Sequence, residues 1–251
     1  MFAILKEVLE IPRRKLLRFQ VSQPHESITR VIKQIQQNGF FHINNYWNSN
    51  QINVAKDAIN KLCEMQNVPN SWVDPEMSDH RFFFSERHSP IFNEFRNDEF
   101  IESVRKAYTG RKIADKCVLA AKLISKFGNK GSGGGWHMDS PFSLQFKAFL
   151  FLSDVTESNG PLEAILPTRS NYKRLQLELL GLKKSGQYRF TNEQAIKIQE
   201  RTEKAHVFTA KSGDLVLTDT TALHRGKPII SGERYALTLY CGDPNITEKL
   251  T

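Results

Sequence analysis

Between residues 118 and 241 the chain is built of short β-prone runs separated by turn residues. Such closely spaced short strands are typical of an antiparallel sandwich or jelly roll. The runs cover residues 118–127, 136–139, 145–152, 161–166, 205–208, 215–218 and 235–241. A helical insertion at about residues 170–203 interrupts them, and its second helix follows Thr191, where Thr191 and Gln194 fit a capping box.

The first 110 residues carry a different pattern, with apolar residues at helical spacing. This spacing predicts helices from Ser27 to Asn38, from an N-cap at Ser49 or Asn50, and from about Asp98 to Tyr108. We therefore expect a mainly helical part over residues 1–110 and a β core over residues 111–251. A chain of 251 residues can bury the core of one β domain, so residues 1–251 are predicted to form a single domain.

Charge and cysteine content narrow the class of protein. The chain has 35 Lys and Arg against 27 Asp and Glu, a net charge of +8. This excess favours an anionic ligand or surface, or nucleic acid, although a merely soluble basic surface is an equal interpretation. The three cysteines, Cys63, Cys117 and Cys241, are too scattered for a disulfide framework or a thiolate metal cluster. No signal peptide or membrane-spanning segment is recognisable, and we expect a cytoplasmic protein.

The strongest candidate for chemistry is the segment His137-Met138-Asp139. On an extended strand, residues two apart point to the same face, so this histidine and aspartate can chelate one ion. A third ligand must come from a distant strand. Two imidazoles and one carboxylate leave open coordination positions, an arrangement typical of non-haem iron(II) oxygenases. His224 is preferred as the third ligand because Arg225-Gly226, a turn and Arg234 follow it. His206 fits a core histidine, and the remaining histidines of the helical part fit surface or hydrogen-bonded residues; these are His25, His42, His80 and His88.

Arg234 follows His224 after a turn and opens the last β-prone run. A metal-bound 2-oxo acid with a second carboxylate needs a fixed cationic anchor, and the guanidinium group provides a bidentate one. The alternative for Arg234 is a surface residue on a strand.

A longer series of motifs runs through the chain in a fixed order. It resembles the phytanoyl-CoA dioxygenase family of iron(II)- and 2-oxoglutarate-dependent oxygenases, and it spans most of the chain. The motifs are Asn38-Gly39-Phe40-Phe41 through Asn45-Tyr46-Trp47, Trp136-His137-Met138-Asp139, Phe149 to Val155, Asn159-Gly160-Pro161-Leu162-Glu163, Gly213-Asp214-Leu215-Val216, Leu223-His224-Arg225-Gly226 and Arg234.

The resemblance implies a double-stranded β-helix core, that is, a cupin-like jelly roll, with N-terminal helices. It also implies that His137, Asp139 and His224 bind Fe(II), that Arg234 binds the C5 carboxylate of 2-oxoglutarate, and that O2 is consumed. Lys122 matches a position that lies close to the co-substrate in relatives; a solvated lysine is an equal interpretation. Phe149 matches an aromatic position beside the co-substrate, or else is an ordinary core residue.

The resemblance implies oxidation of a small organic molecule with release of succinate and CO2, and the net charge of +8 favours an anionic one. Halogenases of this mechanistic class lack a carboxylate at the position of Asp139, so hydroxylation is favoured, with desaturation and ring closure left open. Nucleic acid is not expected as a partner, and the oligomeric state is not predicted. The alternative is a jelly-roll protein without catalysis, or a metal protein independent of 2-oxoglutarate, that contacts an anionic partner.

Three further features remain open. The segment Pro167-Thr168-Arg169-Ser170-Asn171 departs from the family's usual Pro-Gly-Ser-His, and Gly232 replaces a hydroxyl residue, so that Ser231 or Thr238 would have to supply the hydrogen bond. Residues 185–201 are interpreted as a lid or insertion near the site. A basic cluster early in the chain could contact phosphates or a partner, but a solvated helix face is the simpler interpretation. This cluster consists of Arg13, Arg14, Lys15 and Arg18.

Overall fold

The computed structural model describes residues 26–111, 114–139 and 145–242. In these ranges the chain forms two antiparallel sheets with a cavity between them, and helices cover the outer faces. The strands are β1 (Phe40–Ile43), β2 (Ser71–Val73), β3 (Asp79–Phe82), β4 (Asp115–Ile124), β5 (Phe146–Phe151), β6 (Leu162–Ile165), β7 (His206–Phe208), β8 (Leu215–Asp219), β9 (Leu223–Gly226) and β10 (Glu233–Gly242). The helices are α1 (Glu26–Asn38), α2 (Ser49–Glu64), α3 (Pro90–Arg96), α4 (Glu99–Thr109), α5 (Asn171–Leu179) and α6 (Asn192–Arg201).

The larger sheet has seven strands in the order β1-β8-β5-β10-β4-β3-β2, and the smaller has three in the order β7-β6-β9. The two longest strands, β4 and β10, pair along their whole length, from Asp115 opposite Gly242 to Ile124 opposite Glu233. From β1 to β4 each strand of the larger sheet lies beside strands that are not its neighbours in the chain, which is typical of a sandwich, whereas β4, β3 and β2 follow one another at one edge.

One face of the larger sheet packs against the N-terminal helices. Alternate residues of β10, including Tyr235, Leu237 and Leu239, lie in the same buried cluster as α1, α2, α3 and α4. Leu237 is completely buried. Because side chains alternate along a strand, the intervening residues of β10 face the opposite way, toward the cavity.

The helical insertion packs against the smaller sheet. Leu177 of α5 and Ile198 of α6 share a buried cluster with Trp136, Met138 and Leu223. Helix α6 begins with the predicted capping box, in which the Thr191 side chain accepts from the backbone of Gln194. The insertion is thus attached through apolar contacts directly behind the segment that carries His137.

Helix ends follow local chemistry. Helix α2 is capped by Asn48 and not by the predicted Ser49 or Asn50, because Asn48 and Gln51 form a reciprocal capping box. Helix α4 begins after Asp98, whose side chain accepts from the backbone of Ile101, and ends at Gly110, where φ is 71°.

Some predicted elements differ in the structure. Residues 136–139 form no regular strand; His137 is paired through isolated bridges. The N-terminal 110 residues, expected to be mainly helical, also contribute strands β1, β2 and β3 to the larger sheet; β2 and β3 were not predicted. Strand β9 and helix α3 were also missed. The basic cluster from Arg13 to Arg18 lies outside the described residues, and the single-domain organisation stays a prediction.

Candidate metal centre

His137 and His224 are brought together by their own backbones. The His137 N–H donates to the His224 carbonyl and the His224 N–H donates to the His137 carbonyl, each at 2.8 Å. The two imidazole centroids are 4.3 Å apart. Strand β9 thereby holds His224 beside His137, although 86 residues separate the two in the chain.

The segment around His137 keeps strand-like alternation although it is not a regular strand. Trp136 and Met138 are buried in the cluster behind the site. His137 and Asp139 point the other way and line the cavity. The prediction that these two side chains share a face is confirmed by their position in the structure.

A close approach of the glycine loop shapes one side of the His137 ring. Gly133 has φ of +91°, and a Cβ atom at this position would lie 2.4 Å from Cε1 of His137. The conformation and the contact both require glycine. The glycine loop before His137 therefore packs directly against the His137 ring.

Both histidines present the same nitrogen to the site. Nδ1 of His137 is 2.9 Å from the Gly135 carbonyl, and Nδ1 of His224 is 2.8 Å from the Ala222 carbonyl. A carbonyl only accepts, so each Nδ1 donates and each Nε2 keeps its lone pair in the neutral ring. The Nε2 atoms lie 3.8 Å and 3.6 Å from the carboxylate oxygens of Asp139.

The donor set fits a divalent transition metal. One ligand atom from each of His137, Asp139 and His224 lies within 4.8 Å of the others. Burial, followed by the neighbouring His224, lowers the pKa of His137 to about 3, and burial also lowers the pKa of His224. Both rings are therefore neutral at pH 7, the form that binds metal. Two imidazoles and one carboxylate are the donor set of the facial triad that holds iron in non-haem iron enzymes.

His206 is not part of this cluster. It lies on β7, where its ring stacks on Phe40 at a centroid distance of 4.7 Å and contacts Phe208 edge-on. The interpretation of His206 as an aromatic packing residue agrees with this position.

Lys147 is a charged residue of the site that the sequence interpretation missed. Its side chain is only 4% exposed, and Nζ lies 2.7 Å from Oδ2 of Asp139. Burial alone would raise the pKa of Asp139, but the Lys147 ammonium and the two histidines lower it. Burial would lower the pKa of Lys147, and the Asp139 carboxylate raises it. The signal was available in the alternation of β5, which places Lys147 on the same face as Phe149.

Arg234 lies in the wall of the same cavity. It is 6% exposed, and its Nε has no hydrogen-bond partner among the described residues. Burial lowers its pKa to about 10, with opposing effects from the charges of Asp79 and Arg81. A buried guanidinium with an unsatisfied donor costs free energy unless an anion pairs with it. An anion in the cavity beside Arg234 would satisfy this donor.

Lys122 does not line the cavity. In the β4–β10 register it stands opposite Tyr235, whose side chain faces the helices, and Leu123 stands opposite Arg234. Its Nζ contacts Asn60 of α2 at 3.0 Å and lies 3.4 Å from Glu233. The predicted co-substrate contact of Lys122 is not supported, because the residue is on the other face of the sheet.

The inner cavity measures about 250 Å3 and opens into a groove of about 690 Å3. Phe149 lines the inner cavity, as its interpretation as an aromatic residue beside the co-substrate requires. Of the two candidate hydroxyl residues, Thr238 lines the inner cavity and Ser231 does not. Arg81 and Arg189 line both spaces and therefore stand at the mouth. The backbone of residues 188–190 pairs with that of residues 136–138, so the insertion supplies part of the wall.

A family model described as phytanoyl-CoA dioxygenase (PhyH) matches residues 35–236, most of the chain. The chain belongs to the phytanoyl-CoA dioxygenase family. It is thus an oxygenase-type enzyme that uses Fe(II), 2-oxoglutarate and O2. No curated protein matches its sequence.

Solved structures support the fold. The chain is similar to the epimerase SnoN from nogalamycin biosynthesis, solved in complex with Fe3+, α-ketoglutarate and nogalamycin RO. The TM-score is 0.65 at 13% identity, and the match covers 86% of this chain and 84% of SnoN. HygX from Streptomyces hygroscopicus, with nickel, 2-oxoglutarate and hygromycin B bound, is similar with a TM-score of 0.58 and 13% identity, and the match covers 86% of this chain and 87% of HygX. EctD from S. alaskensis with bound Fe is similar with a TM-score of 0.63 and 16% identity, and the match covers 88% of this chain and 78% of EctD. The predicted mainly β, jelly-roll class is confirmed.

Proposed function

We propose that this phytanoyl-CoA dioxygenase family member hydroxylates a small anionic organic molecule, using Fe(II) and 2-oxoglutarate and releasing succinate and CO2. One observation carries the proposal. The cluster of His137, Asp139 and His224 and the buried guanidinium of Arg234 open onto one cavity.

In this proposal His137, Asp139 and His224 hold Fe(II). Their backbone-tied rings fix both Nε2 atoms before any metal arrives, so little conformational freedom is lost on binding. When bound, the metal with 2-oxoglutarate and O2 supplies the oxidising chemistry that cleaves a C–H bond of the substrate. The chain's part is to leave open coordination positions facing the cavity.

Arg234 is proposed to anchor the distal carboxylate of 2-oxoglutarate. Its fork of N–H donors can bind a carboxylate through two parallel hydrogen bonds, which fixes the direction of the co-substrate. Thr238, four residues further along β10 on the same face, offers a hydroxyl to the same ligand. Apolar side chains of Phe149, Phe151 and Leu119 line the remaining wall and exclude water.

The mouth of the cavity supports an anionic substrate. Arg81 is already paired with Asp79. Arg189 donates to the carbonyl of Gly133 and has no carboxylate partner among the described residues. It is therefore the cation available to a negative group in the outer groove, in keeping with the net charge of +8.

Hydroxylation is proposed over halogenation because Asp139 occupies the carboxylate position among the cavity-facing groups. The similar structures include an epimerase and a carbocyclase, so the product must be identified directly. Within the described residues, no helix has the length and apolar character needed to cross a membrane. The cytoplasmic location stays a prediction.

The test is succinate formation by the anaerobically purified chain after addition of Fe(II), 2-oxoglutarate and O2. Small carboxylates and phosphates would be supplied as candidate substrates, and products identified by mass spectrometry. We expect iron-dependent succinate release and a product heavier by one oxygen atom. Metal binding without any succinate would instead support the non-catalytic alternative.

A further inference from the structure

Lys147 combines two properties that are unusual for a lysine. It is almost completely buried in the wall of the cavity, and its ammonium contacts Oδ2 of Asp139 at 2.7 Å. The same ammonium lies 3.8 Å from the centroid of the Tyr240 ring. The aromatic face and the carboxylate together hold a full positive charge inside the site.

The partner of this lysine is also a proposed metal ligand. An ammonium and a divalent cation that bind one carboxylate compete for it, and they repel each other strongly at a separation of a few ångströms in a buried site. A divalent ion bound to Asp139 would therefore weaken the Lys147–Asp139 ion pair. The displaced ammonium then needs another anion, since a buried unpaired charge is unfavourable.

The co-substrate provides such an anion. 2-Oxoglutarate has a carboxylate at each end. Arg234 and Tyr240, the residue opposite Lys147, lie toward the two ends of the part of β10 that lines the cavity. Lys147 lies beside Asp139, where the metal would bind, and Arg234 lies further along the same cavity, so each cation can face a different carboxylate. The flexible four-carbon stem of lysine allows its ammonium to move between neighbouring anions.

We propose that Lys147 is an exchangeable counter-cation: it neutralises Asp139 before metal binds, and it pairs with a carboxylate of 2-oxoglutarate once the metal has taken Asp139. The inference rests on the proposed metal ligands. It makes Lys147 a positioning residue that disfavours metal binding alone and favours co-substrate binding.

A purely structural role of Lys147 predicts the opposite change in metal affinity when the lysine is removed. If Lys147 only holds Asp139 in its binding orientation, its removal weakens metal binding. If Lys147 competes with the metal, its removal strengthens metal binding. Two affinities, one for metal and one for co-substrate, therefore separate the two roles.

The experiment uses calorimetric titrations of the full chain with Mn2+ in place of the oxidisable Fe(II). Wild type is compared with Lys147→Met and with Lys147→Gln, a second neutral variant for the case that the first does not fold. We expect Mn2+ without 2-oxoglutarate to bind about tenfold tighter in both variants. We expect 2-oxoglutarate to bind the Mn2+-loaded variants about tenfold more weakly.

Lys122→Met is the matched control, because Lys122 lies on the helix-facing side of the same sheet. It should leave both affinities unchanged. If wild type binds Mn2+ and the Lys147 variants bind it more weakly, or bind 2-oxoglutarate as well as wild type, the role of Lys147 is wrong and the metal site stands. If wild type and Lys122→Met bind no Mn2+, the proposed metal site itself is wrong.

Discussion

The two faces of the larger sheet are both buried, but they bury different kinds of residue. Toward the helices, β10 contributes Tyr235, Leu237 and Leu239 to a continuous apolar core. Toward the smaller sheet, the same strand contributes Arg234, Thr238 and Tyr240 to a cavity. Successive residues of one strand thus serve stability and chemistry separately. Substitutions on one face should change folding with little effect on catalysis, and substitutions on the other should do the reverse.

The largest effect is expected at the cavity face, in His137→Ala, Asp139→Ala and His224→Ala. Each variant should lose at least about a thousandfold of the iron-dependent succinate formation, because a missing ligand loosens the metal and changes its open positions. Succinate assays measure this loss, and circular dichroism should show an unchanged fold. Full activity in all three variants would refute the ligand assignment.

On the helix-facing side, Leu237→Ala should remove a completely buried side chain and lower the free energy of unfolding by about 2–5 kcal/mol. Chemical denaturation measures the loss. The 2-oxoglutarate turnover per folded molecule should stay near that of wild type. A large fall in turnover without loss of stability would mean that the two faces are not separate in function.

Arg234→Met should weaken 2-oxoglutarate binding by about a hundredfold, since the variant removes a charge-assisted bidentate contact. Binding of Mn2+ alone should be retained, because Arg234 is not among the metal-ligating residues. Calorimetry gives both values. Equal co-substrate affinity in Arg234→Met and wild type would place the carboxylate anchor elsewhere.

Acidification should destabilise the metal-free protein through His137. Its folded pKa is about 3, below the value of about 6.5 expected in the unfolded chain, so the unfolded state binds the proton first. Stability is therefore lost as the pH falls from about 6.5 toward 3, by about 2 kcal/mol at pH 5. Denaturation at pH 7 and pH 5 measures it. A His137→Gln variant should lose less stability over the same range.

The smallest effect on the site is expected for Lys122→Met. The residue contacts Asn60 and Glu233 on the helix side, where partly exposed ion pairs contribute little. The Michaelis constant for 2-oxoglutarate should be unchanged within about twofold. A marked increase would show that Lys122 reaches the co-substrate after all.

Lys122 and Lys147 illustrate what the sequence could not predict about the site, and the residues around them illustrate what it could. That His137, Asp139, His224 and Arg234 line one cavity could be predicted, because their order and their neighbouring motifs are specific. Lys122 was assigned to the site by resemblance alone. The alternation of β4 did not indicate its face, because a sheet buried on both sides has apolar residues on both.

The missed elements have similar physical reasons. Strand β3 has the polar sequence Asp79-His80-Arg81-Phe82, and it is held by its pairing with β4 and not by apolar alternation. Strand β9 is short, and its pairing with β6 depends on contacts far apart in the chain. The fold class came from strand spacing, whereas these elements depend on tertiary pairing.

The most direct test is an anaerobic crystal structure of the chain with Fe(II) and 2-oxoglutarate, in which anomalous scattering locates the iron. We expect one iron site bonded to Nε2 of His137, Nε2 of His224 and the carboxylate of Asp139, with the distal carboxylate of 2-oxoglutarate on Arg234. Iron bound at other residues, or a co-substrate that does not contact Arg234, would contradict this expectation.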